Sequence, residues 1–384
     1  MIYFDNAATT YPKPRQTLTA MNEAMRVWGA NPGRSGHRLS AACAEKVYGC
    51  REKAARLFGC GKPENVIFTA NCTHAVNLVT GGLLQPGDHV VISDWEHNAV
   101  LRPIHHLAEQ GIITYSVAET FEGNDEATVK SFAACMCPNT RLVVAVHASN
   151  VSGAVLPIEG IARAAHAAGA YMMVDGTQSG GVLPIHMQQS GIDFLCLPGH
   201  KGLYGPMGTG LLLTAVDELP RASLFGGTGS SSLDDNQPDF LPDRLESGTL
   251  NAPGIIALSA GLDFVEQVGI DNIRAHENRI ARYLVSALSE LSKGRLQLYG
   301  AEKYQGRRTA VISFNLRDYP GEKTAALLNE QGIAVRGGYQ CAPLAHKKLG
   351  TLDRGSCRIS IGAFNNQYQA EQLIRNIKKI LTFA

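Results

Sequence analysis

No run of apolar residues in this 384-residue chain approaches the 18 or more that a membrane-spanning helix needs, so a helical membrane anchor is not expected. An excess of one charge is missing too: 35 basic residues face 34 acidic ones, the formal net charge is +1, and neither sign forms a long block. Nucleic acid and anionic membrane surfaces select basic footprints, so no nucleic-acid or membrane partner is expected and small-molecule chemistry is favoured. Cysteine is present but unpatterned. The nine cysteines are an odd number scattered without the spacing of a disulfide framework, which suits a reducing compartment. Cys135 and Cys137 are neighbours, yet no second Cys/His pair lies near them in sequence, and no metal site is expected. The opening residues MIYFDNAATTYPKP lack a basic leader followed by an apolar segment, and the expected location is the cytoplasm. There is no internal repeat, and no G-x-G-x-x-G after the first strand of the kind a nicotinamide dinucleotide site requires.

What is present is enough chain to bury a large core, with room for one large domain and a smaller one. From about residue 42 to 215, helical periodicity alternates with short β-branched runs. Helices are predicted at 42–58 and 73–83, and strands at 65–69, 89–93, 112–117, 142–147, 171–174, 194–197 and 210–213. That alternation predicts an α/β fold with a mostly parallel sheet covered on both faces. Residues 218–250 break the rhythm with GGTGSSS and DDNQPD, a long loop of the functional or disordered kind. Helices resume at 252–268 and 271–292. A smaller unit then reads strand 310–315, helix 322–331, strands 333–336 and 357–361, and helix 366–381. The first 20 residues are expected to pack against that unit.

In such sheets, ligands gather beyond the carboxyl ends of the strands, so the residues just after each strand belong together. Asn71-Cys72-Thr73 opens a helix, which fits either a plain N-cap or a phosphate site at free amides. Glu96-His97, Ser149-Asn150, Asp175 and Gln178 follow later strands. The apolar run 192–197 delivers Pro198-Gly-His200-Lys201 into a glycine-rich turn. A lysine there is a surface residue or a chemical one. A phosphate-binding helix start with a buried carboxylate, a glutamine, an imidazole and a lysine meets the needs of pyridoxal 5′-phosphate (PLP).

At this point the chain resembles the class V aminotransferases, which are fold-type I PLP enzymes, and within them the cysteine desulfurases. The resemblance rests on YFDNAAT at 3–9, EHNAV at 96–100, SNVSGAV at 149–155, VDGTQ at 174–178, GHKGLYGP at 199–206, ESGTLN at 246–251 and RGGYQCAP at 336–343. It implies a large domain (20–256) with a mostly parallel seven-stranded sheet, and a small α+β domain formed by 1–19 and 257–384. It implies that Lys201 forms the Schiff base with PLP and then moves the substrate Cα proton. Asp175 faces the pyridinium nitrogen, Gln178 the phenolic oxygen, and His97 stacks on the ring. Asn150 lies near the substrate, and Cys72, Thr73 and His200 line the cofactor site, the last two on the phosphate. Thr249 reaches the neighbouring subunit's phosphate in a homodimer. Cys341 is the persulfide-forming nucleophile, on a flexible segment and beside Arg336, which is itself expected on the substrate. Arg358 clamps the substrate carboxylate through its planar fork. The short span from Cys341 to Arg358, and Arg34-Ser-Gly-His37-Arg-Leu-Ser40 with His37 near the substrate, match the SufS-like second group. L-Cysteine is the implied substrate, with L-selenocysteine, a C–S β-lyase or another class V reaction as alternatives, and with a possible sulfur-acceptor protein. Two positions depart from the pattern. Pro198 stands where many relatives carry a hydroxyl, and Gln340 where a histidine usually precedes the cysteine.

Overall fold

The computed structural model describes residues 1–33, 36–216, 220–291, 294–300, 307–316 and 319–383. In chain order the elements are β1 (Ile2–Tyr3), α1 (Arg15–Arg26), α2 (Arg38–Phe58), β2 (Val66–Thr69), α3 (Cys72–Leu83), β3 (His89–Ser93), α4 (Asn98–Glu109) and β4 (Thr114–Ala118). There follow α5 (Asp125–Cys135), β5 (Thr140–Val146), α6 (Ile158–Ala167), β6 (Tyr171–Asp175), α7 (Met187–Ser190), β7 (Phe194–Pro198) and β8 (Gly210–Thr214). The remainder is α8 (Ala252–Val268), α9 (Ile270–Leu291), β9 (Leu296–Tyr299), β10 (Val311–Leu316), α10 (Gly321–Glu330), β11 (Ile333–Ala334), α11 (Pro343–Lys348), β12 (Cys357–Ser360) and α12 (Gln367–Phe383).

Seven strands form one sheet in the order β2-β8-β7-β6-β5-β3-β4. Only β8 runs against its neighbours; the other pairings are parallel. The reason is legible in the side chains. Strands β6, β7 and β8 are buried almost without interruption, as a sheet covered on both faces requires. Their residues divide by the two-residue pleat. Val143, Ala145, Met172, Val174, Leu195 and Leu197 enter one apolar core with α2, α6 and α8, while Leu142, Val144, Met173, Phe194 and Cys196 enter the opposite core with α3 and α4.

A third core is separate. Phe4 joins α9, α10, α12 and the antiparallel sheet β12-β10-β9. The N-terminus reaches it by pairing β1 parallel to β11, Ile2 opposite Ile333. Helices α8 and α9 meet at 78°, and no single helix among the described residues is long and apolar enough to cross a membrane.

Some boundaries move. The strand expected at 112–117 lies at Thr114–Ala118, because Ile112 still donates its amide to Leu107 at the close of α4. The strand expected at 333–336 ends at Ala334, and Arg336 continues as an isolated bridge to Arg358.

Candidate active site

The register of the sheet sets the first residues of the site. Asp175 pairs with Cys196 across β6 and β7, so the carboxylate at the end of one strand lies beside the turn that carries Lys201 at the end of the next. Asp175 is 1 % exposed and accepts hydrogen bonds from the Thr177 amide at 2.8 Å and from Cys72 Sγ at 3.5 Å. The second bond docks the first turn of α3 onto the carboxylate. A side chain at Gly210 would bring a Cβ within 2.7 Å of Asn71, so a glycine at the start of β8 lets this helix start sit against the sheet. Asn71 caps α3 through the His74 amide at 2.9 Å. The amides of Cys72 and Thr73 open the helix and have no intrahelical acceptor, which is where an anion binds.

Lys201 Nζ makes no hydrogen bond or ion pair with a described residue. Burial, with the Arg358 charge adding to it, lowers its pKa to about 8, against the opposing pull of Asp175 and Cys72. Such an amine yields its proton near neutral pH. His97 caps α4, its Nδ1 accepting from the Ala99 amide at 3.0 Å. Burial lowers it to about 4, with Asp175 opposing and Lys201, Arg336 and Arg358 reinforcing. The imidazole is therefore a neutral aromatic plate at physiological pH. His200 is held to about 4 by burial and the charges of Lys201 and Lys13.

Pro198 finds no missing partner. It ends β7 opposite Gly210, beyond the last pairing with β6, so no ladder bond is forgone.

A second group of residues comes from β12, the loop after β11 and the loop after β5. Arg358, 1 % exposed, donates to Asp5 at 2.7 Å and to the Asn150 carbonyl at 3.0 Å, while its Nε is buried without a partner. Asn150 donates from Nδ2 to the Gln340 carbonyl at 2.8 Å and leaves a buried Oδ1 unsatisfied. Arg336 and Arg358 exchange backbone bonds at 3.2 and 2.7 Å, and the Arg336 guanidinium donates to Cys341 Sγ at 3.6 Å. Cys341 is exposed, and its carbonyl accepts from the Asn98 amide at 2.7 Å, one residue past His97. The Cys341 loop and the start of α4 beside His97 are thereby tied together.

The segment expected to be flexible is anchored instead. Gln340 and Cys341 are both left-handed, with φ of 44° and 56°, at a cost of about 1–2 kcal/mol each. Fixed hydrogen bonds on both carbonyls hold them there. Gln340 does not face the thiol; it is 2 % exposed and turns inward.

The other expected residues are placed as follows. Gln178 donates to the Ala7 carbonyl at 2.9 Å, linking the end of β6 to the YFDNAAT segment. Thr249 is exposed on the loop before α8. Glu246, three residues earlier, fixes that loop by accepting from Arg51 Nη1 at 2.8 Å and from the Phe68 amide at 2.5 Å. His37 is exposed and caps α2 through Ser40 at 3.2 Å, without a described contact to the cluster; Arg34 and Ser35 lie outside the described residues. Sequence reasoning did not assign Asp5 or Glu96. Asp5 orients Arg358. Glu96, fully buried, accepts from Ser93 Oγ at 2.5 Å and the Val146 amide at 2.7 Å. Burial and then the Asp175 charge raise it to about 8, against those hydrogen bonds, so it pins β3 to β5 as an acid beside His97. Both lie inside quoted motifs, which was the available signal.

The residues fit a PLP group by their unmet valences. Lys201 Nζ is without a partner among the described residues, the start of α3 leaves free amides, and His200 Nδ1, Asn150 Oδ1 and Arg358 Nε are orphaned. Residues 2–373 match the family model for aminotransferase class-V. A probable cysteine desulfurase of Methanothermobacter thermautotrophicus is 33% identical over 99% of this chain and 94% of its own length. The apo structure of the cysteine desulfurase from Thermococcus onnurineus NA1 superposes with a TM-score of 0.92 at 31% identity, covering 100% of this chain and 95% of that one. The cysteine desulfurase CsdA of Escherichia coli gives 0.87 at 26% identity, over 99% and 94%.

Proposed function

The chain belongs to the aminotransferase class-V family, and on that premise we propose that it is a PLP-dependent cysteine desulfurase. It takes L-cysteine to L-alanine and leaves the sulfur on Cys341 as a persulfide. The observation that carries this reading is the exposed Cys341 thiol, held by its own carbonyl to the amide next to His97 and by its sulfur to Arg336.

PLP, when bound, supplies an electron sink that weakens bonds at the substrate Cα and Cβ. Lys201 holds the group and then moves the proton at the substrate Cα, a task suited to an amine lowered to about 8. Asp175 keeps a negative charge on the pyridine side, and Cys72 and Thr73 offer their amides, with His200, to the phosphate. Neutral His97 offers a flat aromatic face. Gln178 and Asn150 give amide groups to the polar ring substituent and the substrate. Arg358, fixed by Asp5, presents its remaining donor to the substrate carboxylate. The thiolate of Cys341 attacks the substrate sulfur: an S–S bond forms, the substrate Cβ–S bond breaks, and its electron pair leaves with Cβ, which takes a proton to become the methyl of alanine. No external oxidant is needed.

Within the same proposal the chain works as a large unit of residues 20–256 and a small unit of 1–19 with 257–384; the separate core around Phe4 and β12-β10-β9 supports it. The enzyme is a homodimer in which exposed Thr249 completes the partner's phosphate site, and His37 nears the substrate in the SufS-like arrangement. The cytoplasm is its compartment, a reading supported by nine unpaired cysteines. Its sulfur leaves to an acceptor protein that approaches the exposed thiol.

The test is L-cysteine turnover with alanine and sulfide quantified together. Cys341→Ser is expected to retain the visible PLP band and lose persulfide formation. Release of sulfide by that variant at the wild-type rate would remove Cys341 from the mechanism.

A further inference from the structure

Gln340 occupies an unusual place. It immediately precedes the thiol, yet its side chain is buried and every polar atom of it is engaged. Nε2 donates to the Ser356 carbonyl at 2.9 Å, and Oε1 accepts from Ser356 Oγ at 3.2 Å. His346 Nε2 lies 2.9 Å from the same Oε1. Since Oε1 only accepts, His346 carries its proton on Nε2, and its Nδ1 accepts from Thr351 Oγ1 at 2.7 Å. Burial holds that imidazole to about 4, which keeps it neutral and this arrangement of donors intact. His346 is itself fully buried, and Tyr339 packs edge-on against it at 5.5 Å between centroids.

The network has a structural load to bear. Two consecutive non-glycine residues in the left-handed region relax to ordinary backbone unless their surroundings over-determine them. Here the Gln340 side chain is fixed to Ser356, the residue before β12, and to His346 of α11, its carbonyl to Asn150 and the next carbonyl to Asn98. We infer that Gln340 is a positioning residue: its buried amide, held by His346 and Ser356, locks the left-handed Gln340–Cys341 backbone so that the thiol stays beside Arg336 and the Asn98 end of α4. The inference rests on the desulfurase reading for its kinetic consequence, but the locking can be read without turnover. Asn98 is the first residue of α4, so its amide has no intrahelical acceptor and its protection reports the Cys341 carbonyl directly.

The experiment compares PLP-loaded wild type with Gln340→Ala and Gln340→Met. Methionine keeps the volume of the side chain and removes the amide. Three quantities are measured: kcat and KM for L-cysteine, hydrogen exchange at the Asn98 amide, and the thermal midpoint. In both variants kcat is expected to fall by at least about ten-fold, with KM within about two-fold, because Arg358 keeps its bond to Asp5 and the Gln340 side chain makes no hydrogen bond to Arg358 or Lys201. Exchange at Asn98 is expected to quicken by at least about ten-fold while the rest of α4 is unchanged. A Gln340→Met protein with wild-type kcat and a protected Asn98 amide would overturn the inference, because packing alone would then hold the loop. So would a loss of kcat with Asn98 still protected. If wild type makes no alanine from L-cysteine, the desulfurase reading fails, and the exchange measurement alone still decides whether Gln340 locks the loop.

Discussion

The two halves of the site are built by opposite means. The Lys201 half stands at the ends of parallel strands, where the sheet register alone sets Asp175 beside the lysine's turn and several polar atoms are left without partners. The Cys341 half is a loop leading from β11 to α11, with strained backbone; Asn150 and Asn98 donate to the Gln340 and Cys341 carbonyls, and Arg336 donates to the exposed thiol. One half is open to receive a group; the other is closed around the position of a single atom. The difference teaches that cofactor binding and sulfur chemistry are separable in this molecule, and mutations can divide them.

The largest effect belongs to the first half. Lys201→Ala is expected to lower alanine formation by about 10⁴-fold or more, the upper range for loss of a positioned acid–base group, and to abolish the visible cofactor band. Cys341→Ser should match it in persulfide yield while keeping the band. If both variants lost the band, the two halves would not be separable.

Asp175→Asn is next. Replacing the carboxylate by an amide of the same shape is expected to cost about 10²–10³-fold in kcat, with the band shifted rather than lost. A variant with wild-type kcat would show that the pyridine side needs no charge.

Asp5→Asn tests the link between the halves. Arg358 loses its carboxylate partner but keeps the Asn150 carbonyl, so KM for L-cysteine should rise by about ten-fold or more, with little change in kcat at saturation. An unchanged KM would mean that Arg358 is oriented without Asp5.

The smallest effects are in stability against pH. His97, His147, His200 and His346 are each lowered by burial to about 4 from 6.5. The unfolded chain binds those protons first, so the contribution of these four imidazoles to folding stability is full above about pH 6.5 and falls progressively toward pH 4, while Glu96, raised to about 8, acts in the opposite sense between about 4.5 and 8. Lys201 is lowered from 10.5 to about 8, so in cofactor-free protein its charge destabilises the fold below pH 8 and that penalty fades between 8 and 10.5. Urea melts of wild type and Lys201→Met across this range should converge as the pH rises.

Much of the first half was legible in the sequence. The expected strand 89–93 coincides with β3, and the other strands of the main sheet lie within a few residues of their positions, because fully buried strands read as bounded apolar runs. Lys201, Asp175 and the helix start at Cys72 follow from that pattern. The second half was less legible. The short β9 and the six-residue α11 carry too little periodicity to be seen. The anchoring of Cys341 depends on the backbone of Asn98 and the side chain of Asn150, which are distant in sequence and bond backbone carbonyls of the loop that residue type does not encode. Gln340 read as the loss of a histidine; in the structure a histidine stands behind it, at 346.

A single turnover of the PLP-loaded protein with L-cysteine, without reductant, followed by mass analysis of the peptide containing Cys341, tests the central claim most directly. The account predicts that this peptide becomes one sulfur atom heavier in step with one alanine formed per site. Alanine formed with the sulfur on another cysteine, or with no cysteine carrying it, would contradict the account.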